Sequence, residues 1–314
     1  MVRLADITDL TEQISLTPLQ ALGIPIAIAG AVVLSLGTQF QHRGVSLVEG
    51  SSGASGAKLD LRQLGLLIRR PSWVVGTSML GVAALMQLWA LSLAPLIVVQ
   101  PLGAVALVVT AVVNARVARH RLDAPTINSI LFCLLGIGIF VTVAAVFAVE
   151  HPIRDQQLLT VLCLLLVVGI GLGLAWWRWR DRASAIFYVI AAGVLYGFVV
   201  TLMKVVLNRI TTGNFEWLTI VCLLGVAGAL AFGGYFVQLA HASGPPDLVI
   251  AGLTVVDPLV AVLIGVTVLG EAAQTPPWAL IVFVLAGGLA VFGVFQLARH
   301  HPQLQAKTLV EDDE

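Results

Sequence analysis

The sequence predicts an all-α integral membrane protein of about nine transmembrane helices, arranged as an inverted-topology repeat that pairs helices 1–4 with helices 6–9. Three observations predict it. The 314 residues are 59% hydrophobic and only 11% charged, with a mean hydropathy of +0.99. An ordinary soluble domain carries roughly 25% charged residues, so this chain cannot cover a water-facing surface. Nine segments approach the ~20 apolar residues that a helix needs to cross a hydrocarbon core. One of these segments is written twice. Residues 94–105 read A-P-L-I-V-V-Q-P-L-G-A-V and residues 251–262 read A-G-L-T-V-V-D-P-L-V-A-V, with eight of twelve positions identical. Each copy carries a polar residue followed by proline at its centre: Gln100-Pro101 and Asp257-Pro258. A duplicated, proline-interrupted apolar helix is a pointer to a transporter binding site.

The elements follow in order. Residues 1–21 hold Asp6, Asp9 and Glu12 and lack a basic leader, so they read as an extracytoplasmic segment and not as a secretory signal. The first span is expected over 22–42, an apolar run closed by Gln41-His42-Arg43. A loop, 43–72, follows. Within it G-S-S-G-A-S-G-A-K (50–58) is a flexible linker by composition. Residues 59–70 mix leucine with arginine, as either a helix on the inner leaflet or a mobile loop would. Spans over 73–93 and 95–115 are joined by a tight turn at Leu93-Ala94-Pro95, where proline suits a first helical turn. A fourth span, 126–149, completes the first repeat, 22–149. The fifth, 158–177, lies within the link 150–184. Spans over 185–206, 216–239, 248–269 and 277–298 form the second repeat, 185–298, before a cytoplasmic tail, 299–314.

Basic residues set the orientation. Thirteen lie on one side of this arrangement, in the loops after the first, third and fifth spans and in the tail. Only Arg3, Arg154 and Arg209 lie on the other. The N-terminus is therefore expected outside and the C-terminus in the cytoplasm of a cell (plasma) membrane protein. The third and eighth spans are five helices apart, so the two copies of the repeat run in opposite directions. Similarity extends outward from them: Gln87-Leu88 answers to Gln238-Leu239, and Leu134-Leu135-Gly136 to Leu285-Ala286-Gly287.

The stretch V-V-D-P-L-V-A-V-L-I-G-V-T-V-L-G-E, residues 255–271, resembles the penultimate-helix signature of the drug/metabolite transporter superfamily (EamA-like), in which a helix proline precedes a Gly-Glu at the helix end. The first-half stretch L-A-P-L-I-V-V-Q-P-L-G-A-V-A-L-V-V and the Q-H-R-G-V ending of the first span are similar to the NIPA-like magnesium transporter branch. The resemblance covers most of residues 20–298 and implies a permease without an energising domain. The glutamate at position 271 has Asn114 as its register equivalent in the first half.

Candidate substrate-binding residues are Asp257, Gln100, Gln87, Gln238 and Lys204, with Pro101 and Pro258 as helix-breaking positions. An aspartate at mid-membrane costs roughly 2.5–3.5 kcal/mol on insertion scales, so Asp257 should face a cavity or a partner. It is read either as a proton-coupling and binding group or as a structural hydrogen-bonding one. Each proline withholds an N–H, from the Ile97 carbonyl for Pro101 and from the Thr254 carbonyl for Pro258. The glutamines either line a hydrophilic path or join helices. Gln39 and Asn114 carry the same alternatives, Asn114 as a cap. Lys204, near a span end, either snorkels to the interface or serves as a gate or partner for Asp257. Glu271 reads as a solvated outer cap. Trp73, Trp176, Trp177, Trp179, Trp217 and Trp278 fall near span ends as an interfacial belt, whereas Trp89 and Tyr196 fall deeper, in core or cavity.

Cys133, Cys163 and Cys222 lie in apolar segments and read as packing residues. No metal-ligand pair, nucleotide loop or nucleophile–base set is evident, so no enzyme activity, cofactor or metal is expected. A net charge of zero gives no pull toward nucleic acid. The expected partners are a small-molecule or ion substrate and the bilayer, with homodimerisation left open. The leading expectation is a non-ATP secondary transporter of a small metabolite or drug-like solute, with proton coupling through Asp257. The alternatives are a magnesium or divalent-cation transporter and a non-transporting scaffold.

Overall fold

The computed structural model describes residues 16–52, 69–117, 123–149, 153–179, 183–213, 215–244 and 246–299. Among these residues all regular structure is helical, and nine segments are long and apolar enough to span a membrane. The expected N-terminal segment up to 15, loop residues 53–68 and the tail beyond 299 lie outside the described residues.

A short turn of helix, Pro18–Ala21, opens the described chain, with Thr17 and Gln20 forming a reciprocal capping box. The first span then runs Gly23–Ser52, well past the expected end at 42 and into the stretch read as a linker. His42 and Arg43 mark where apolar character stops. Nothing from Gly44 to Ser52 breaks a helix, so the backbone continues. The second span, Pro71–Leu93, starts with proline at its first position. These two helices pack along a row of glycines seven residues apart: Gly23, Gly30, Gly37 and Gly44 face Ala94, Met86, Met79 and Trp73. A seven-residue spacing keeps one face toward one neighbour, and small residues let backbones approach where lipid supplies no hydrophobic drive.

The third span, expected over 95–115 with an interruption at Pro101, is two half-helices, Leu96–Leu102 and Val105–Val117. Pro101 is the cause. After it the chain tightens into three-residue bonds: the N–H groups of Gly103, Ala104, Ala106 and Leu107 donate to the carbonyls of Gln100, Pro101, Gly103 and Ala104. Its counterpart behaves differently. The eighth span, Pro246–Ile264, stays helical through Pro258, and its irregularity comes later, in a π-helical turn, Gly265–Leu269.

The fourth span, Ala124–Phe147, is capped by the Asp123 carboxylate on the Thr126 N–H. It packs on the ninth, Pro277–Arg299, through Gly136 against Ala286 and Ala290 and through Phe140 on Phe283. The sixth span, Ala185–Thr211, packs on the seventh, Trp217–Ser243, and on the eighth. The fifth, Asp155–Trp179, lies at the periphery, with Leu166, Val167, Ile170 and Leu174 exposed to what would be lipid. Trp177, Trp217 and Trp278 are exposed near span ends. Trp89, expected inside, is also exposed: it points out of the bundle because the opposite face of its helix carries the small residues that meet the first span.

The connections at 93–96, 147–155, 211–217 and 269–277 lie at one end of the bundle, and those carrying the arginine-rich loops lie at the other, the basic end. Epitope tags are expected to report the C-terminus in the cytoplasm and the N-terminus outside. Both tags on one side of the membrane would remove the odd-span arrangement.

Candidate functional site

Two arrangements of polar side chains stand out, one at each end. At the basic end a chamber of about 480 Å³ opens between the first, third and eighth spans, with the end of the ninth beside it. Its polar wall comes from Ser35, Thr38, Gln39 and His42 of the first span, Thr110 and Asn114 of the third, and Thr254 of the eighth. Gly103, at the break in the third span, forms part of the floor, so backbone as well as side chains face the space. The hydroxyls are fixed by the protein. Thr110 donates to the Ala106 carbonyl (2.8 Å), so the Ser35–Thr110 contact (2.8 Å) uses the Ser35 hydrogen. Thr38 donates to the Ser35 carbonyl (2.7 Å) and Thr254 to that of Ile250 (2.8 Å). Thr254 also sits one turn before Pro258, which offers no N–H to its carbonyl.

At the opposite end lies a buried ion pair. The π-helical turn ends at Gly270, whose φ of 74° is the left-handed conformation that only glycine adopts at little cost. The turn aims Glu271 inward. Its carboxylate accepts the N–H groups of Leu96 and Ile97, both at 2.9 Å, at the start of the first half-helix of the third span. Lys204 of the sixth span lies 3.3 Å from the same carboxylate and donates to the Ala94 carbonyl at 2.8 Å. Glu271 is 2% exposed and Lys204 3%. A helix N-terminus favours a negative charge, and an ammonium completes the set, so the pair's desolvation is offset by charge-assisted hydrogen bonds. Gly265 makes the approach possible: a Cβ there would sit 2.9 Å from a Glu271 carboxylate oxygen. Gln157 of the fifth span donates to the Val268 carbonyl (3.1 Å) that the π-turn leaves accessible.

This pair corrects two expectations. Glu271 is not a solvated cap, because it caps another helix inside the protein. Lys204 does not snorkel to the interface or meet Asp257, because its stem runs between helices and its amine finds Glu271 and Ala94 first. Nearby, the buried Arg209 joins three spans through Thr219, Glu216 and Asp155.

Gln100 and Asp257 occupy equivalent repeat positions but line neither the polar chamber nor the apolar groove of about 460 Å³ between the third, fourth, eighth and ninth spans. The groove instead takes their neighbours Pro101 and Pro258. Gln100 Nε2 and Asp257 Oδ1 are buried and meet no hydrogen-bonding partner among the described residues. Asp257 is held where the sixth and eighth spans approach closely: Gly193 and Gly197 lie under Val256 and Val260, and a Cβ on Gly197 would come within 3.0 Å of the Asp257 carbonyl. Gln87 is half-buried and Gln238 exposed, and neither lines the chamber or the groove.

Reasoning from sequence weighed Gln39, His42 and Asn114 as polar residues near span ends but did not bring them together. Ser35, Thr38 and Thr110 gave no signal, since a single hydroxyl in an apolar helix commonly bonds its own helix backbone, and Thr254 was marked only by the carbonyl that Pro258 leaves free.

The chain is 25% identical over 282 residues to an uncharacterised protein of Corynebacterium glutamicum, which covers 88% of this chain and 95% of that one. No family model and no solved structure matches the chain.

Proposed function

We propose that this multi-pass membrane protein is a secondary transporter of a small organic solute, working by alternating access between two inverted halves. This reading agrees with the resemblance to the drug/metabolite transporter superfamily. One observation carries it: a polar chamber entered from the basic end is opposed, at the other end, by a buried lock that ties the third, sixth and eighth spans together. An inward-facing transporter has this form. Opening the other side would require Glu271 and Lys204 to part from the start of the third span, and the glycine-lined helix contacts would let the spans slide.

The runner-up, magnesium transport, fits less well. Magnesium keeps its waters and is ordinarily bound through one or two carboxylates. Among the described residues the polar chamber has none, and Glu271 is already satisfied by three protein groups. A scaffold would leave Asp257, whose Oδ1 is buried and meets no hydrogen-bonding partner among the described residues, without a role.

Asp257 is the candidate coupling group under this reading. Asp257→Asn keeps size and most hydrogen-bonding capacity but removes titration. With a labelled solute chosen by a thermal-shift screen of metabolites and metals, Asp257→Asn proteoliposomes are expected to retain counterflow and lose uphill uptake driven by a pH gradient. Unchanged uphill uptake would return Asp257 to a structural role. A screen in which magnesium is transported and no organic solute is would replace the proposal with the runner-up.

A further inference from the structure

The chamber's hydrogen-bonding inventory indicates what enters it. We propose that it binds a small, uncharged polyhydroxy solute, of the size and chemistry of a sugar alcohol, and that it discriminates against cations and acids. The inference rests on the transporter reading and names the substrate class for the chamber.

The hydroxyl hydrogens of Ser35, Thr38, Thr110 and Thr254 are all committed to protein oxygens. Toward the chamber these four groups therefore present lone pairs only. The carboxamides of Gln39 and Asn114 and the imidazole of His42 supply donors as well as acceptors, so an acid would find donors at these three side chains alone. A solute must donate to most of the wall and accept from a few points of it. Hydroxyl groups do both. A carboxylate only accepts, and four of the wall's side chains would offer it nothing. An ammonium or a metal ion could meet the lone pairs, but among the described residues no carboxylate lines the chamber to balance its charge, and an uncompensated ion in a low-dielectric site is strongly disfavoured. A volume of about 480 Å³ lies within the usual 300–1,000 Å³ of small-molecule sites.

The test uses one carbon skeleton in three charge states: sorbitol, gluconate and glucamine, with magnesium chloride as a fourth probe. Leu34 and Leu107 line the chamber without joining its hydrogen bonds. Leu34→Cys and, separately, Leu107→Cys are made in a Cys163→Ala background, since Cys163 is the exposed native thiol among the described cysteines. Inverted membrane vesicles are treated with a membrane-impermeant maleimide. Sorbitol is expected to slow labelling at both positions, and the other three probes are expected to leave it unchanged. Thr254→Val, which keeps shape but removes one acceptor, should raise the half-protecting sorbitol concentration about fivefold, the effect of one neutral hydrogen bond. Protection by glucamine or magnesium would overturn the proposal in favour of a cation site, and protection by gluconate in favour of an anion site. Labelling that none of the four slows would also overturn it. If neither cysteine reacts in inverted vesicles, the inward-open reading itself fails, a result distinct from a wrong substrate class.

Discussion

Glu271→Ala is expected to destabilise the protein by about 3–5 kcal/mol, the loss that follows when one partner of a buried ion pair is removed. Two backbone N–H groups, on Leu96 and Ile97, lose their acceptor, and Lys204 loses the carboxylate 3.3 Å away while keeping the Ala94 carbonyl. Glu271→Gln retains an acceptor for the half-helix but not the charge, so it should fall between alanine and wild type. The double variant Lys204→Met/Glu271→Gln should be less destabilised than the two single changes sum to, because each single change removes the opposite charge from a buried ion. Denaturant unfolding in micelles, followed by tryptophan fluorescence, measures the wild type, Glu271→Ala, Glu271→Gln, Lys204→Met and the double variant. A Glu271→Ala protein within about 1 kcal/mol of wild type, the range of exposed ion pairs, would mean that the carboxylate is hydrated and that there is no lock.

The lock shows where sequence reasoning stops. Glu271 was visible as an acid at the end of an apolar run, and Gly270 as a glycine before it. That position alone favours a solvated residue. Its burial depends on Leu96, Ile97 and Lys204, which are distant in sequence and reach it only when the third, sixth and eighth spans meet. The nine spans themselves were legible because each is a long apolar run, a property that needs no knowledge of neighbours. The break in the third span was legible through Pro101, since a missing N–H acts locally. The same rule misplaced the irregularity of the eighth span. Pro258 removes one bond and the helix continues, whereas the π-turn at Gly265–Leu269 answers to tertiary demands: Gln157 on its carbonyls and Glu271 beyond it. The polar chamber was hidden for a related reason. The hydroxyls of Thr38, Thr110 and Thr254 are spent on carbonyls of their own helices, and only the crossing of three helices sets them, with Ser35, around one space.

Gly76→Ala is expected to separate the first two spans and to cost about 1–3 kcal/mol, the usual range for overpacking a well-fitted core. A Cβ at this position would fall within bonding-like distance of the Gln41 backbone nitrogen and 2.7 Å from the Gly37 carbonyl oxygen. Both obstacles are backbone, so no rotamer change relieves them, and the whole helix must shift. A second glycine in the same helix provides the control. A Cβ at Gly81 would meet nothing within 4 Å, and Gly81→Ala makes the identical chemical change in the same span. It should be neutral or stabilising by up to about 1 kcal/mol, since alanine is the better helix former. Opposite signs from the two variants, measured by the same denaturant titration, would locate the effect in the helix–helix contact and not in helix propensity. Because the first span also carries Ser35, Thr38, Gln39 and His42, displacing it should disturb the chamber: Gly76→Ala should weaken sorbitol protection of Leu107→Cys while Gly81→Ala leaves it intact. Equal stability of the two variants would refute the close packing of these spans, and with it the wall that the first span gives the chamber.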